Sequence, residues 1–402
     1  MWTRSRNSLF FAMLLCVGLV SGGLSSCKRK AASAVDLSST ADAQKNVIEY
    51  ARGFTLEYRK GYKYIRVTAP WRNAASGFSY VLVPRGTRPP AVGPKDIVVY
   101  TPVRRIVVTS STYVPSLAML GLEQNLVGIA NGSLIMTPSV ADRIKKGQIA
   151  EIGDGSSSMM RNLNMERLLA LQPEIVMLYG TGNPQYDFHE QLQAAGLTPA
   201  INAEYMETTP LGAAEWIKFV AAFFDKDAEA KQIFDGIAQR YNAERAIAQS
   251  VTTRPTVFTG VDYHGSWYEP GGNSYRARFM EDAGATYLWR DDHTQGAMPL
   301  TMEAVMARAK NADYWIDVTI LHSMAELAAQ DARYREFKAF REKRVFNNDV
   351  RINAAGGNDY WESGMANPDQ MLADMISIFH PELMPDHKRI WYRQLPEAGA
   401  KQ

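Results

Sequence analysis

Cysteine is almost missing from this chain: 402 residues contain two, Cys16 and Cys27. A disulfide framework or a thiolate zinc site is therefore excluded, and no CxxC pair exists. An excess of one charge is missing too. Lys and Arg number 44 against 42 Asp and Glu, a net charge of +2, with no basic concentration of the kind that holds nucleic acid. The phosphate-cradling and nucleophile-elbow signatures GxGxxG, GxxxxGK[ST] and GxSxG do not occur. His189-Glu190 opens an HExxH-like string, but Gln193 stands where the second metal ligand belongs. The remaining histidines (His264, His293, His322, His380, His387) form no i, i+4 pair, and Asp291-Asp292 reads as a solvated loop. No catalytic constellation emerges.

What is present is an ordinary globular composition, 46% hydrophobic and 21% charged, long enough for two or three domains. The N-terminus is different. Arg4 and Arg6 precede an apolar run over residues 8–20, shorter than the ~20 residues that span a bilayer, followed by small residues. This is a secretory-leader layout, predicted over residues 1–26. It ends in Leu24-Ser25-Ser26-Cys27, which resembles the bacterial lipobox, in which the cysteine becomes the acylated first residue. Removing the leader leaves 42 basic and 42 acidic side chains, a neutral, lipid-tethered protein without a disulfide. Lys28-Arg29-Lys30 would favour an anionic membrane surface, and residues 27–43 read as a flexible tether.

Residues 54–67 alternate around Gly61 as a hairpin does, and residues 79–84 are a further strand. Strands at 105–109, 126–129 and 175–179 then alternate with helices at 114–120 and 165–171, a βαβ texture that predicts a mainly parallel sheet. Residues 211–250 are almost wholly helical in pattern. Trp216, Phe219, Val220 and Phe223 form one apolar stripe; Ile233, Phe234, Ile237, Tyr241 and Ile247 form a second, with a possible break at residues 225–227. The α/β texture restarts with strands at 256–259, 314–318 and 345–346 and helices at 275–283 and 368–379. The heptads Asn164-Met165-Glu166-Arg167-Leu168-Leu169-Ala170 and Thr301-Met302-Glu303-Ala304-Val305-Met306-Ala307 echo one another, suggesting related halves. The expected organisation is a tether (27–43), an N-terminal α/β lobe (44–210), a connecting helix (211–252) and a C-terminal α/β lobe (253–402).

Ligands of open α/β sheets bind beyond the carboxyl ends of the strands. There the chain carries aromatic residues in Gly-punctuated segments: Tyr113, Tyr179, then Tyr263-His264 and Trp267-Tyr268, Trp289-Arg290, and Tyr360-Trp361. Such a set suits a large, flat or partly apolar solute. Arg290 could pair with a ligand carboxylate or phosphate, and Tyr113, Tyr263 or His264 could ligate iron directly. No resident metal or cofactor is expected.

The lipobox, the segments VRRIVVTSSTYVPSLAMLG, LVGIANG and NLNMERLLALQPEIVMLYG, and the later TTPLGAAEWIKFVAAFF and NPDQMLADMISIFHPE resemble the substrate-binding lipoproteins of type II ABC importers. The resemblance covers residues 100–385 and leaves residues 40–95 as an extension assigned to the first lobe. It implies two α/β lobes joined by a long rigid helix, the class III solute-binding fold. It also implies capture of a ferric siderophore, haem or cobalamin, and delivery to an ABC permease and its ATPase. One acid per lobe docks on the permease in this family, and Glu166 and Glu303 match those positions. The implied protein is a monomer anchored by Cys27 in the periplasm, binds no nucleic acid and is not an enzyme. The competing reading is a periplasmic lipoprotein enzyme, a chelatase or hydrolase using His264 and nearby acids.

Overall fold

The computed structural model describes residues 46–153 and 163–398. The expected leader, the tether and Cys27 lie outside the described residues. Among those described, no helix is long and apolar enough to cross a membrane.

The chain begins with a four-stranded sheet, β1 (Phe54–Arg59), β2 (Tyr62–Val67), β3 (Phe78–Pro84) and β4 (Asp96–Thr101), in sequential order. The β1–β2 hairpin turns at Gly61, whose φ of 83° is the left-handed conformation a side chain would resist. The sequence pattern does not mark β4, whose apolar residues directly follow the Pro/Gly-rich stretch 84–95 and which pairs parallel to β3 rather than by a hairpin. This sheet packs on the first lobe. Tyr80 is fully buried, and its hydroxyl accepts a hydrogen bond from the backbone N–H of Ile201 at 2.8 Å.

The first lobe is an entirely parallel five-stranded sheet in the order β7-β6-β5-β8-β9, built from β5 (Ile106–Val108), β6 (Leu126–Ile129), β7 (Ala150–Glu151), β8 (Ile175–Leu178) and β9 (Pro199–Ile201). Helices α1 (Val114–Met119), α2 (Pro138–Lys145), α3 (Met165–Ala170) and α4 (His189–Ala194) form its crossovers. The strand order reverses between β5 and β8, the position at which such sheets open a crevice.

The connecting helix expected over 211–252 is interrupted at 223–226, near the possible break at 225–227, and also at 215–216. Three helices replace it: α5 (Pro210–Ala214), α6 (Ile217–Ala222) and α7 (Asp227–Gln249). At Glu215-Trp216 the chain turns both side chains onto residues 49–53, and at residues 223–226 Asp225 adopts φ 55° and pairs with Lys63. The first apolar stripe is buried as expected; in the second, Phe234, Ile237 and Tyr241 are buried while Ile247 is exposed. Helix α7 is fastened to the second lobe by Tyr241 donating to Asp282 at 2.8 Å and by Arg240 to Asp369 at 2.6 Å.

The second lobe repeats the parallel arrangement in the order β13-β10-β15-β16-β17, from β10 (Thr256–Thr259), β13 (Thr286–Tyr287), β15 (Tyr314–Ile316) and β16 (Val345–Asn347), closed by the antiparallel β17 (Arg393–Gln394). A small antiparallel sheet, β11 (Asp262–Tyr263), β12 (Ser266–Pro270) and β14 (Ala297–Leu300), is inserted after β10. Helices α8 (Tyr275–Asp282), α9 (Met302–Ala309), α10 (Met324–Gln330), α11 (Lys338–Arg341) and α12 (Pro368–Phe379) complete it. The echoed heptads open α3 and α9: Asn164 caps one by accepting from Arg167 N–H at 2.9 Å, Thr301 the other by accepting from Ala304 N–H at 3.2 Å.

Candidate functional site

A cavity of about 230 Å³ lies between the lobes above the helical connector. The first lobe supplies Thr112, Tyr113, Ser116 and Met119 from the turn after β5 and from α1, and Asn202, Glu204 and Tyr205 from the segment after β9. The connector contributes Ala213, Ala214, Trp216, Ile217 and Ile237. The second lobe closes it with Tyr275, the first residue of α8, and with Trp361, Met365 and Ala366 ahead of α12.

Tyr113 is buried and donates its hydroxyl to the carbonyl of Asn202 at 3.0 Å; burial, reinforced by nearby Glu204, holds its pKa well above the ordinary tyrosine value. Glu204 Oε1 accepts from the Thr112 hydroxyl at 2.6 Å, whereas Oε2 is sealed from solvent without a hydrogen-bond partner. Loss of hydration raises the Glu204 carboxyl to about 7, against the lowering effect of the Thr112 bond. Burial likewise lifts Tyr205 and Tyr275 to about 12. Among the described residues no Lys, Arg or His lines the cavity. Arg276, the cation next to it in sequence, is committed to buried Asp317 at 2.7 Å.

The extension reaches the same crevice. In the turn between β2 and β3, Trp71 lies so close to Gly180 and Gly182 that a Cβ on them would stand 2.3 and 2.6 Å from the indole. Its ring also packs on His189, with centroids 5.3 Å apart. The neighbouring Arg72 guanidinium rests on Gly296 of the second lobe, where a Cβ would stand 2.7 Å from Nη2. Tyr205 ties this region to the cavity by donating to the Gly180 carbonyl at 2.5 Å.

Of the residues expected to line a cleft, Tyr113 and Trp361 do so. Two stand behind lining residues: Tyr179 meets Tyr205 edge-on at 6.3 Å, and buried Tyr360 meets Trp361 at 4.7 Å. The other six lie elsewhere. Tyr263 and Tyr268 are exposed on the β11–β12 hairpin, with His264 at its tip in a left-handed conformation (φ 54°). Between them the pleat turns Trp267 inward, where it is fully buried, stacks with Phe258 and Trp315, and donates to the Thr259 carbonyl at 2.7 Å. Trp289 is buried under Arg308, and exposed Arg290 lies 3.8 Å from Asp291. A glycine-rich context does not distinguish a cleft from a core when an inserted sheet covers the strand end. Glu204 and Tyr205 were missed because β9 is three residues long and went unread; Trp216 was read only as a stripe residue, and Tyr275 only as a helix start.

Among the described residues no three His, Cys, Asp or Glu side chains converge as a metal site. Glu166 and Glu303 both sit exposed in the first turns of α3 and α9, Glu303 at 3.2 Å from Arg333.

Comparison with known proteins agrees with this architecture. Two uncharacterized lipoproteins of Methanocaldococcus jannaschii are similar. One is 27% identical over 303 residues, 72% of this chain and 68% of its own, and the other 25% identical over 419 residues, 96% of this chain and 99% of its own. Among solved structures, an ABC-type Fe3+-hydroxamate transport protein from Saccharomonospora viridis superposes with a TM-score of 0.54. It is 18% identical and covers 69% of this chain and 94% of that one. The apo periplasmic haem-binding protein RhuT from Roseiflexus sp. RS-1 gives 0.52 at 19% identity, over 70% and 99%. These likenesses establish the class III periplasmic binding fold. The Periplasmic binding protein family model matches residues 106–350, the first lobe, the connector and the second lobe through β16 but not the N-terminal sheet, and the chain belongs to that family.

Proposed function

We propose that this protein is a lipid-anchored solute-binding protein that captures an iron complex, a siderophore or haem, and delivers it to an ABC permease. The observation that carries the reading is an aromatic cavity walled by both lobes and floored by the connector. A solute touching both walls stabilises the closed arrangement by its differential affinity for it, which is capture without chemistry. At about 230 Å³ the cavity is smaller than the roughly 300–1,000 Å³ typical of ligand pockets, so a bulky guest enters as the lobes part. A chelate that brings its own iron ligands fits better than a bare ion, since the Tyr113 phenol is engaged by Asn202 and burial disfavours its ionised form. Cobalamin is the alternative within the same transporter type. Glu166 and Glu303, one per lobe and equivalently placed, are the proposed permease contacts, acting mainly on orientation and association rate. Cys27 is the proposed lipid attachment point.

Titrating the apo-protein with a ferric trihydroxamate, haem and cobalamin, read by absorbance and Trp fluorescence, tests the ligand class. Saturable binding of one is expected; failure of all three refutes it. The absorption spectrum of protein purified from its host identifies the solute independently.

A further inference from the structure

Three features of the cavity concern charge. Glu204 is one of the lining residues, its Oε2 is closed to water and has no donor, and among the described residues no cationic side chain lines the cavity. The nearby guanidinium of Arg276 is already neutralised by Asp317. Five aromatic side chains, Tyr113, Tyr205, Trp216, Tyr275 and Trp361, make up much of the wall. An unpaired buried carboxylate is costly, and cost of this kind is relieved by a positive partner. Aromatic faces attract the same sign of charge, most strongly when the cation is poorly hydrated. An anionic group would meet the opposite: repulsion from Glu204 and, among the described residues, no lining cation, since Arg276 behind the Trp361 ring is paired with Asp317.

We infer that this cavity is a subsite for an organic ammonium group, with Glu204 as its counter-ion and the aromatic wall as its lining. The inference rests on the reading of this cavity as the solute site, and it specifies the solute further: an iron complex with a pendant ammonium rather than a polycarboxylate. Thr112 holds the carboxyl in place through Oε1, and Oε2, which has no hydrogen-bond partner, is the oxygen left to pair with a guest admitted as the lobes part.

The test compares choline with its neutral isostere 3,3-dimethylbutan-1-ol by isothermal titration calorimetry. Choline should bind saturably and at least tenfold tighter than the alcohol. Glu204→Gln, which preserves side-chain shape, should lower choline affinity about tenfold and leave the alcohol unchanged. Choline that does not bind, binds no tighter than the alcohol, or binds the variant equally overturns the assignment. A ferric trihydroxamate with a free terminal amine and its N-acetylated form supply the second arm. If both chelates bind equally while choline fails, the subsite is wrong and the iron-complex function stands. If choline binds and discriminates but neither chelate binds, nor haem nor cobalamin, the function falls and the cation subsite stands.

Discussion

Replacing Glu215 with alanine probes how the N-terminal sheet is joined to the cavity floor. The Glu215 carboxylate, fully buried, accepts from the backbone N–H groups of Glu49 at 3.0 Å, Tyr50 at 2.7 Å and Ala51 at 2.8 Å, and pairs with Lys218 at 2.6 Å. Glu207 continues the pattern by accepting from Arg52 and Gly53, so two carboxylates serve five consecutive backbone donors. Hydrogen bonds to a charged group contribute about 1.5–3 kcal/mol each. Removing one member of a buried ion pair costs about 3–5 kcal/mol, chiefly because the other charge is stranded. Lys218 would be stranded in this way, its side chain being 7% exposed. The expected loss is therefore about 3–5 kcal/mol out of a total stability of roughly 5–15 kcal/mol. Urea unfolding followed by circular dichroism measures it. Glu215→Ala with Lys218→Met should be less damaging than Glu215→Ala alone, since the orphaned ammonium is gone. Solute affinity should fall as well, because Ala213, Ala214, Trp216 and Ile217 flank Glu215 and line the cavity. A loss below about 1 kcal/mol, or a double variant no more stable than the single, refutes the reasoning.

Gly180→Ala places a methyl group in the space of the Trp71 indole and should expel it at about 1–3 kcal/mol. Faster hydrogen exchange in residues 70–77 is the readout, and unchanged exchange contradicts the contact. Glu166→Arg combined with Glu303→Arg should abolish uptake and preserve solution affinity; normal transport removes both from the docking surface. Burial raises Glu204 to about 7 and Glu244 and Glu269 to about 8, from an ordinary 4.5. Each folded state retains a proton that the unfolded chain has lost between those limits, so stability should fall as pH rises from about 5 to 8. Calorimetric melting that is flat or rising over that interval disproves this account. Cys27→Ser should stop acylation, and radiolabelled fatty acid on that variant would contradict the anchor.

The family, the two parallel lobes and most strand positions were legible in the sequence because each depends on local pattern. Short β-branched runs such as residues 106–108 and 256–259 are strands whatever surrounds them, and the helix at 368–379 is bounded by its own prolines. The break in the connector was only partly legible. Asp225 marks one interruption, but the turn at Glu215-Trp216 exists because backbone donors 160 residues earlier in the chain need a carboxylate. Hydropathy carries no trace of such a partner.

Sequence alone determined the alternation of strands and helices in the two lobes and which aromatic residues follow the strands it marks, since both follow from periodicity and chain order. Tertiary structure alone decided which of those aromatics meet. Trp267 and Tyr268 are adjacent in sequence, yet the pleat and the inserted sheet send one to the core and the other to solvent. Glu204, an unremarkable acid after a three-residue strand, acquires its character only when two lobes and a connector close around it and exclude water. Burial is a property of the assembled fold, and the chemistry of this cavity follows from burial.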